Sequence, residues 1–252
     1  MLTVLHILFA LGLGVVAGAL GGLFGIGGGV LAIPIFGIAF GLDQQVAQGT
    51  TLVMVVPNVL LGFVRYWQRV RFDLRIAGAL AGPALIFAYP TARIATGLNP
   101  HSLRLAFAIF LAGLSAVIAC RTWRNRLPST TREPLAWGWS AVLGAVGGTI
   151  SGLFGVGGAF IVPPILTTFF GLRQVEAQGL ALALVCPGTM IALATYGGAG
   201  QVDWLLGVPL AIGGSLALSA GVTAAQRLSE RHLRFAFSGL LIVTAALLAA
   251  HG

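Results

Sequence analysis

No lysine occurs anywhere in the 252 residues. Its absence excludes a retinal-type Schiff base and a Walker A phosphate loop, both of which need that amine. Charge of either sign is scarce, at 8% of the chain. The six acids, Asp43, Asp73, Glu133, Glu176, Asp203 and Glu230, all fall in loops or at the ends of apolar runs. A mid-membrane carboxylate relay of the kind proton pumps use is therefore missing. His6, His101, His232 and His251 also lie near the ends of runs and form no helical pair, which leaves a haem or transition-metal site without support. The only cysteines, Cys120 and Cys186, stand in no CxxC spacing, so neither a metal site nor a structural disulfide is expected. No nucleophile is accompanied by a base. The chain is not read as an enzyme, and no cofactor is called for.

What the sequence does have is apolar surface: 58% apolar residues and a mean hydropathy of +0.98, the composition of an all-α integral membrane protein. All fourteen cations are arginines, set in short clusters between apolar runs. That pattern fits membrane topology and membrane lipid, and leaves no face for a nucleic acid backbone. No basic residue precedes the first apolar run, and residues 1–22 have a full counterpart at 131–152. The first span is therefore expected to stay in the mature chain.

The sequence repeats at an offset of 130 residues: Gly22-Leu-Phe-Gly-Ile-Gly-Gly28 matches Gly152-Leu-Phe-Gly-Val-Gly-Gly158, with Pro34 and Pro164 behind. The offset holds for Ala47-Gln48-Gly49 and Ala177-Gln178-Gly179, for Pro57 and Pro187, for Tyr66 and Tyr196, and for Asp73 and Asp203. Residues 1–120 form a first membrane repeat, 121–132 a cytoplasmic linker and 133–252 a second repeat. Apolar segments are expected near 3–22, 28–40, 46–65, 74–95 and 102–120, and again near 133–152, 158–170, 176–196, 204–224 and 232–250. Four segments of each half reach the roughly 20 residues that a span needs. The second of each half, 28–40 and 158–170, is short and preceded by glycines, and would begin inside the bilayer, thin it or re-enter.

Arginine placement bears on whether the short segments cross. With ten crossings the halves are inverted, and Arg65, Arg69, Arg71, Arg75, Arg121, Arg124, Arg126, Arg132, Arg173, Arg227, Arg231 and Arg234 share one side. Arg93 and Arg104 face the other. With eight crossings the halves are parallel, and Arg93, Arg104, Arg173, Arg227, Arg231 and Arg234 are stranded outside. The positive-inside rule favours about ten segments in two inverted five-segment repeats, with both termini periplasmic.

Paired glycine-interrupted segments in corresponding halves point to a transporter's binding site. Gly14, Gly18 and Gly22, with Gly144, Gly148 and Gly152, recur every four residues and read as helix-packing positions. Gly25, Gly27 and Gly28, with Gly155, Gly157 and Gly158, break that spacing and precede the short segments. Exposed backbone N–H groups at a helix start make an anion cradle that needs no basic side chain; close packing or a kink is the competing reading. Gln48 and Gln178 can donate to an oxyanion without burying a cation, or simply bond between helices. Thr50, Thr51 and Asn58 add polarity to the first half only, where the second has Leu180, Ala181 and Gly188. Pro57 and Pro187 sit mid-span and are read as hinges.

These residues resemble a known family. Gly22–Gly29 followed by Pro34, its copy at 152–164 and the Gln48-Gly49-Thr50 triplet look like the sulfite exporter TauE/SafE family, also described as 4-toluene sulfonate uptake permeases. The resemblance implies a bacterial inner-membrane carrier for sulfite, thiosulfate or small organosulfonates. Ala159 and Leu180 depart from the first half's pattern. The expectation is a secondary transporter of a small anion working by alternating access, with a passive anion channel as the alternative. Proton or ion coupling stays open, because an anion that itself protonates near neutral pH can carry the proton.

Overall fold

The computed structural model describes residues 2–69, 73–123, 137–156, 162–169, 172, 174–227 and 230–250. Within them lie helices α1 (Leu2–Phe24), α2 (Gly29–Phe40), α3 (Gln44–Arg69), α4 (Leu74–Gly97), α5 (Pro100–Trp123), α6 (Trp137–Phe154), α7 (Val162–Phe169), α8 (Gln174–Gly198), α9 (Trp204–Arg227) and α10 (Glu230–Ala250). No strand occurs among the described residues. Six helices, α1, α3, α4, α5, α8 and α9, are long and apolar enough to cross a bilayer, and shorter apolar stretches lie in α2, α6 and α10. The protein is thus a multi-pass, all-α membrane protein. At 12 residues, α2 is about 18 Å long at 1.5 Å per residue, well under a hydrocarbon core of about 30 Å. Most of the expected linker, 124–132, lies outside the described residues, as does the stretch 157–161 that precedes α7.

Helix packing crosses the two halves. The most extensive pairing is α1 on α9, followed by α4 on α6. At the offset of 130, α1 corresponds to α6 and α9 to α4, so these are one contact made twice. Similarly, α4 on α8 repeats α9 on α3, while α5 packs on α10 and α3 on α8. Each half completes the other, and neither encloses its own core.

The four-residue glycine series explain the closeness of the two main contacts. A Cβ on Gly14, Gly18 or Gly22 would fall on the backbone carbonyl of Leu210, Gly214 or Leu218 in α9. One on Gly144, Gly148 or Gly152 would fall on that of Leu80, Ala84 or Ala88 in α4. Position for position, the second set is the first shifted by the repeat offset. Bare glycine lets the backbones touch, which in lipid replaces the hydrophobic drive that water would supply. The packing reading of these six glycines is borne out.

The matched acids Asp73 and Asp203 are helix starts. Asp73 Oδ1 accepts from the Arg75 N–H at 2.8 Å, and Asp203 Oδ1 accepts from the Leu205 and Leu206 N–H groups at 2.9 and 3.2 Å. Each satisfies donors that the first turn leaves unpaired.

At one end of the bundle three connections meet. Gln45 Nε2, at the start of α3, donates to the Leu98 carbonyl at 2.6 Å, and Gln201 Nε2, between α8 and α9, donates to the Thr96 carbonyl at 3.0 Å. The Asp203 N–H donates to Thr50 Oγ1 at 2.9 Å. The start of α3, the end of α4 and the α8–α9 connection therefore share one end of the molecule.

Candidate binding site between the repeats

The first glycine turn is built by left-handed backbone. Helix α1 ends at Gly25, whose φ is 72°, and the Ile26 N–H donates back to the Gly21 carbonyl at 3.0 Å. This is the six-residue closure that a left-handed glycine permits at a helix C-terminus. Gly27 and Gly28 have φ of 75° and 88°, a region that costs an L-residue with a side chain about 1–2 kcal/mol. Gly28 then precedes α2 as its N-cap and gives no side-chain cap, so the first N–H groups of the short helix receive none from that residue. Gly155 repeats the turn, with φ of 66° and its N–H on the Ser151 carbonyl at 2.9 Å. Gly157 and Gly158 lie outside the described residues.

Each described turn faces the glutamine of the other half. Among the described residues, a Cβ on Gly25 would meet only Gln178 Nε2, at 3.7 Å. One on Gly155 would sit 3.6 Å from the Gln48 Cβ and 3.3 Å from the Leu52 side chain. The turns are also neighbours: the Cβ position of Gly29 lies 3.4 Å from Thr51 Cγ2 and 3.6 Å from Val156 Cγ1. Residues as far apart in sequence as Gly25 and Gln178 are thus gathered where the repeats interlock.

The polar groups divide into those already engaged and those left open. Thr50 is buried and its hydroxyl accepts from the Asp203 N–H. Asn58, also buried, donates from Nδ2 to the Gly27 carbonyl at 3.2 Å and accepts from Ser215 Oγ of α9 at 3.2 Å. It fastens the first turn to α3 and α9. Gln48 is fully buried and its Oε1 accepts from the Tyr196 hydroxyl at 2.9 Å, yet its Nε2 has no hydrogen-bond partner among the described residues. Thr51 Oγ1, equally buried, is also unpartnered. Leaving such groups unsatisfied costs about 1–3 kcal/mol each. Pro57 and Pro187 lie inside α3 and α8, whose helices continue through them.

Sequence reasoning assigned no role to Tyr196. The residue is fully buried and reaches both Gln48 Oε1 and, at 3.2 Å, the Leu153 carbonyl. The signal was present in the Tyr66 and Tyr196 match across the repeat, a polar aromatic recurring late in an apolar span.

A family model for the sulfite exporter TauE/SafE matches residues 10–248. The chain belongs to the sulfite exporter TauE/SafE family. Among curated relatives, a "Probable membrane transporter protein" of Xylella fastidiosa is 26% identical over 250 residues, covering 98% of this chain and 95% of the relative. A protein of Methanocaldococcus jannaschii with a like description is 26% identical over 246 residues, 90% of each chain. The "Sulfite exporter TauE/SafE family protein 3" of Arabidopsis thaliana is 31% identical over 98 residues, 39% of this chain and 20% of that one. No solved structure matches. The family is one of membrane transporters, not an enzyme class.

Proposed function

We propose that the chain is a secondary carrier of a small anion, sulfite or another sulfur oxyanion or organosulfonate, which it binds where the two repeats interlock. The observation that carries this reading is the Gln48 Nε2 group, a fully buried donor without a partner among the described residues, beside the glycine turn of the opposite half. An acceptor-only ligand satisfies it, together with Thr51 Oγ1 and the uncapped start of α2. An anion held this way needs no lysine and no buried arginine. Gln178 and the turn at Gly155 would supply the facing wall, and Pro57 and Pro187 the bending points. The family description, which names sulfite, is the source for the substrate class.

The working cycle is alternating access between two inverted repeats of five segments in a bacterial inner membrane, with both termini periplasmic. Support comes from the twelve-to-two division of arginines and from the bonds of Gln201 to Thr96 and of Asp203 to Thr50. Ten crossings put those partners on one side, whereas eight would put them on opposite sides. The test has two steps. A thermal-shift screen of purified protein against sulfite, thiosulfate, sulfoacetate, taurine, acetate and chloride is expected to show stabilisation by a sulfur oxyanion, since a ligand stabilises the state it binds. Counterflow in proteoliposomes should then show exchange of labelled for unlabelled anion. Stabilisation by none of the six would overturn the anion site, and flux without trans-stimulation would indicate a pore.

A further inference from the structure

We infer that Tyr196 is the residue that makes this site select acceptors over donors, by holding the Gln48 amide with its nitrogen toward the ligand. The inference rests on the anion-carrier reading and adds to it a cause for the sign of the ligand. A glutamine amide is ambivalent: one end accepts, the other donates, and rotation about the last torsion exchanges them. Left alone in a buried site, Gln48 could serve an anion or a cation equally well. The Tyr196 hydroxyl lies 2.9 Å from Gln48 Oε1 and 3.2 Å from the Leu153 carbonyl. Its proton goes to the nearer of these two acceptors, the amide oxygen, and with that oxygen engaged only Nε2 remains to be presented. The opposite arrangement would have the amide donate to the Tyr196 oxygen while the hydroxyl donates to Leu153, and would offer the ligand an oxygen.

Position makes the clamp a link between the halves. Gln48 belongs to α3, whereas Tyr196 lies on α8 and Leu153 at the end of α6, just before the second glycine turn. Both Gln48 and Tyr196 are fully buried, so water does not compete for the contact. The clamp therefore forms only when α3 and α8 are seated against each other with the Gly155 turn in place. A donor so positioned is present when the halves are closed on the site. Tyr196 does not touch the ligand in this scheme; it acts through Gln48.

The decisive experiment is a double-mutant cycle on the full chain in detergent, with thiosulfate and sulfite as the probes, read by equilibrium binding alongside melting temperature. Tyr196→Phe is expected to weaken binding about threefold to tenfold, and to have no further effect in a Gln48→Leu background. A merely structural tyrosine would weaken binding by the same factor in both backgrounds, and that outcome overturns the inference while leaving the anion site standing. Should Tyr196→Phe not fold, Gln48→Glu decides: it keeps the oxygen that accepts from Tyr196 and replaces the outward nitrogen with oxygen. Loss of thiosulfate binding by more than tenfold supports the clamp, and binding equal to that of the unaltered protein shows that an outward oxygen suffices and overturns it. Failure of the unaltered protein to bind either anion removes the carrier reading and this inference together.

Discussion

At the scale of single residues, the buried polar side chains of α3 do two different jobs, and substitutions should separate them. Gln48 has an unsatisfied donor, so Gln48→Leu is expected to weaken binding of the stabilising anion by roughly 1–3 kcal/mol, the range for a lost buried partner. Gln178→Leu should do likewise if the halves share the ligand, whereas Arg93→Gln, near a span end, should alter the salt dependence of uptake and leave binding intact. Equal affinity in both glutamine variants with a large loss in Arg93→Gln would move the site to an arginine. Thr50, by contrast, spends its hydroxyl on the Asp203 N–H at 2.9 Å. Thr50→Val should therefore lower the melting temperature by leaving that donor unpaired, with anion affinity unchanged within about twofold. The sequence placed Gln48, Thr50, Thr51 and Asn58 together because they share one apolar run. It could not divide them, since the partners Asp203, Tyr196 and Ser215 come from the other half, and nothing local in the chain announces a contact 148 residues away.

Among the helices, the glycines sort by what stands opposite them. Gly14, Gly18 and Gly22 of α1 and Gly144, Gly148 and Gly152 of α6 face backbone carbonyls of α9 and α4, so even a methyl group there must push two helices apart. Among the described residues Gly25 faces only Gln178, so an added methyl there meets the cost of a left-handed backbone and no backbone contact among them. We expect Gly18→Ala and Gly148→Ala to reduce the yield of monodisperse protein in size-exclusion chromatography, and by similar amounts because the contacts are copies. Gly25→Ala should preserve most of that yield while transport falls. A uniform loss of folded protein in all three would return the turn to a packing role. The packing glycines could be read in advance because a four-residue period is a property of one helix. The turns could be located by their broken period, but which glutamine each one faces depends on the crossing of the halves, a property of no single segment. Boundaries were legible to within a few residues for most segments: the expected 28–40 is observed as Gly29–Phe40, and 74–95 as Leu74–Gly97.

For the whole molecule, the arrangement in the membrane follows from which connections share an end. Three hydrogen bonds tie the starts of α3 and α9 and the end of α4 into one cap. Each of these joins a loop residue to a residue near the end of a helix, and polar connections sit toward the membrane surface because the hydrocarbon satisfies no backbone group. If the segment that carries α7 did not cross, an odd number of crossings would separate the α2–α3 connection from the α8–α9 connection, and the two would emerge on opposite sides. The Thr50 to Asp203 bond could then form only across the bilayer. At 12 residues, α2 is about 18 Å long by its rise, so a crossing by it would need a thinned bilayer or a polar lining where it falls short. Single cysteines at Gln68, exposed near the end of α3, and at Ala199, exposed after α8, test this in a background lacking Cys120 and Cys186. Opposite labelling is expected with a membrane-impermeant maleimide: Ala199→Cys modified in intact cells, and Gln68→Cys modified only after permeabilisation, in keeping with the arginines clustered around it. Both positions reacting from the same side would require an even number of crossings in α4 through α8, and the inverted repeat with its shared central site would fall.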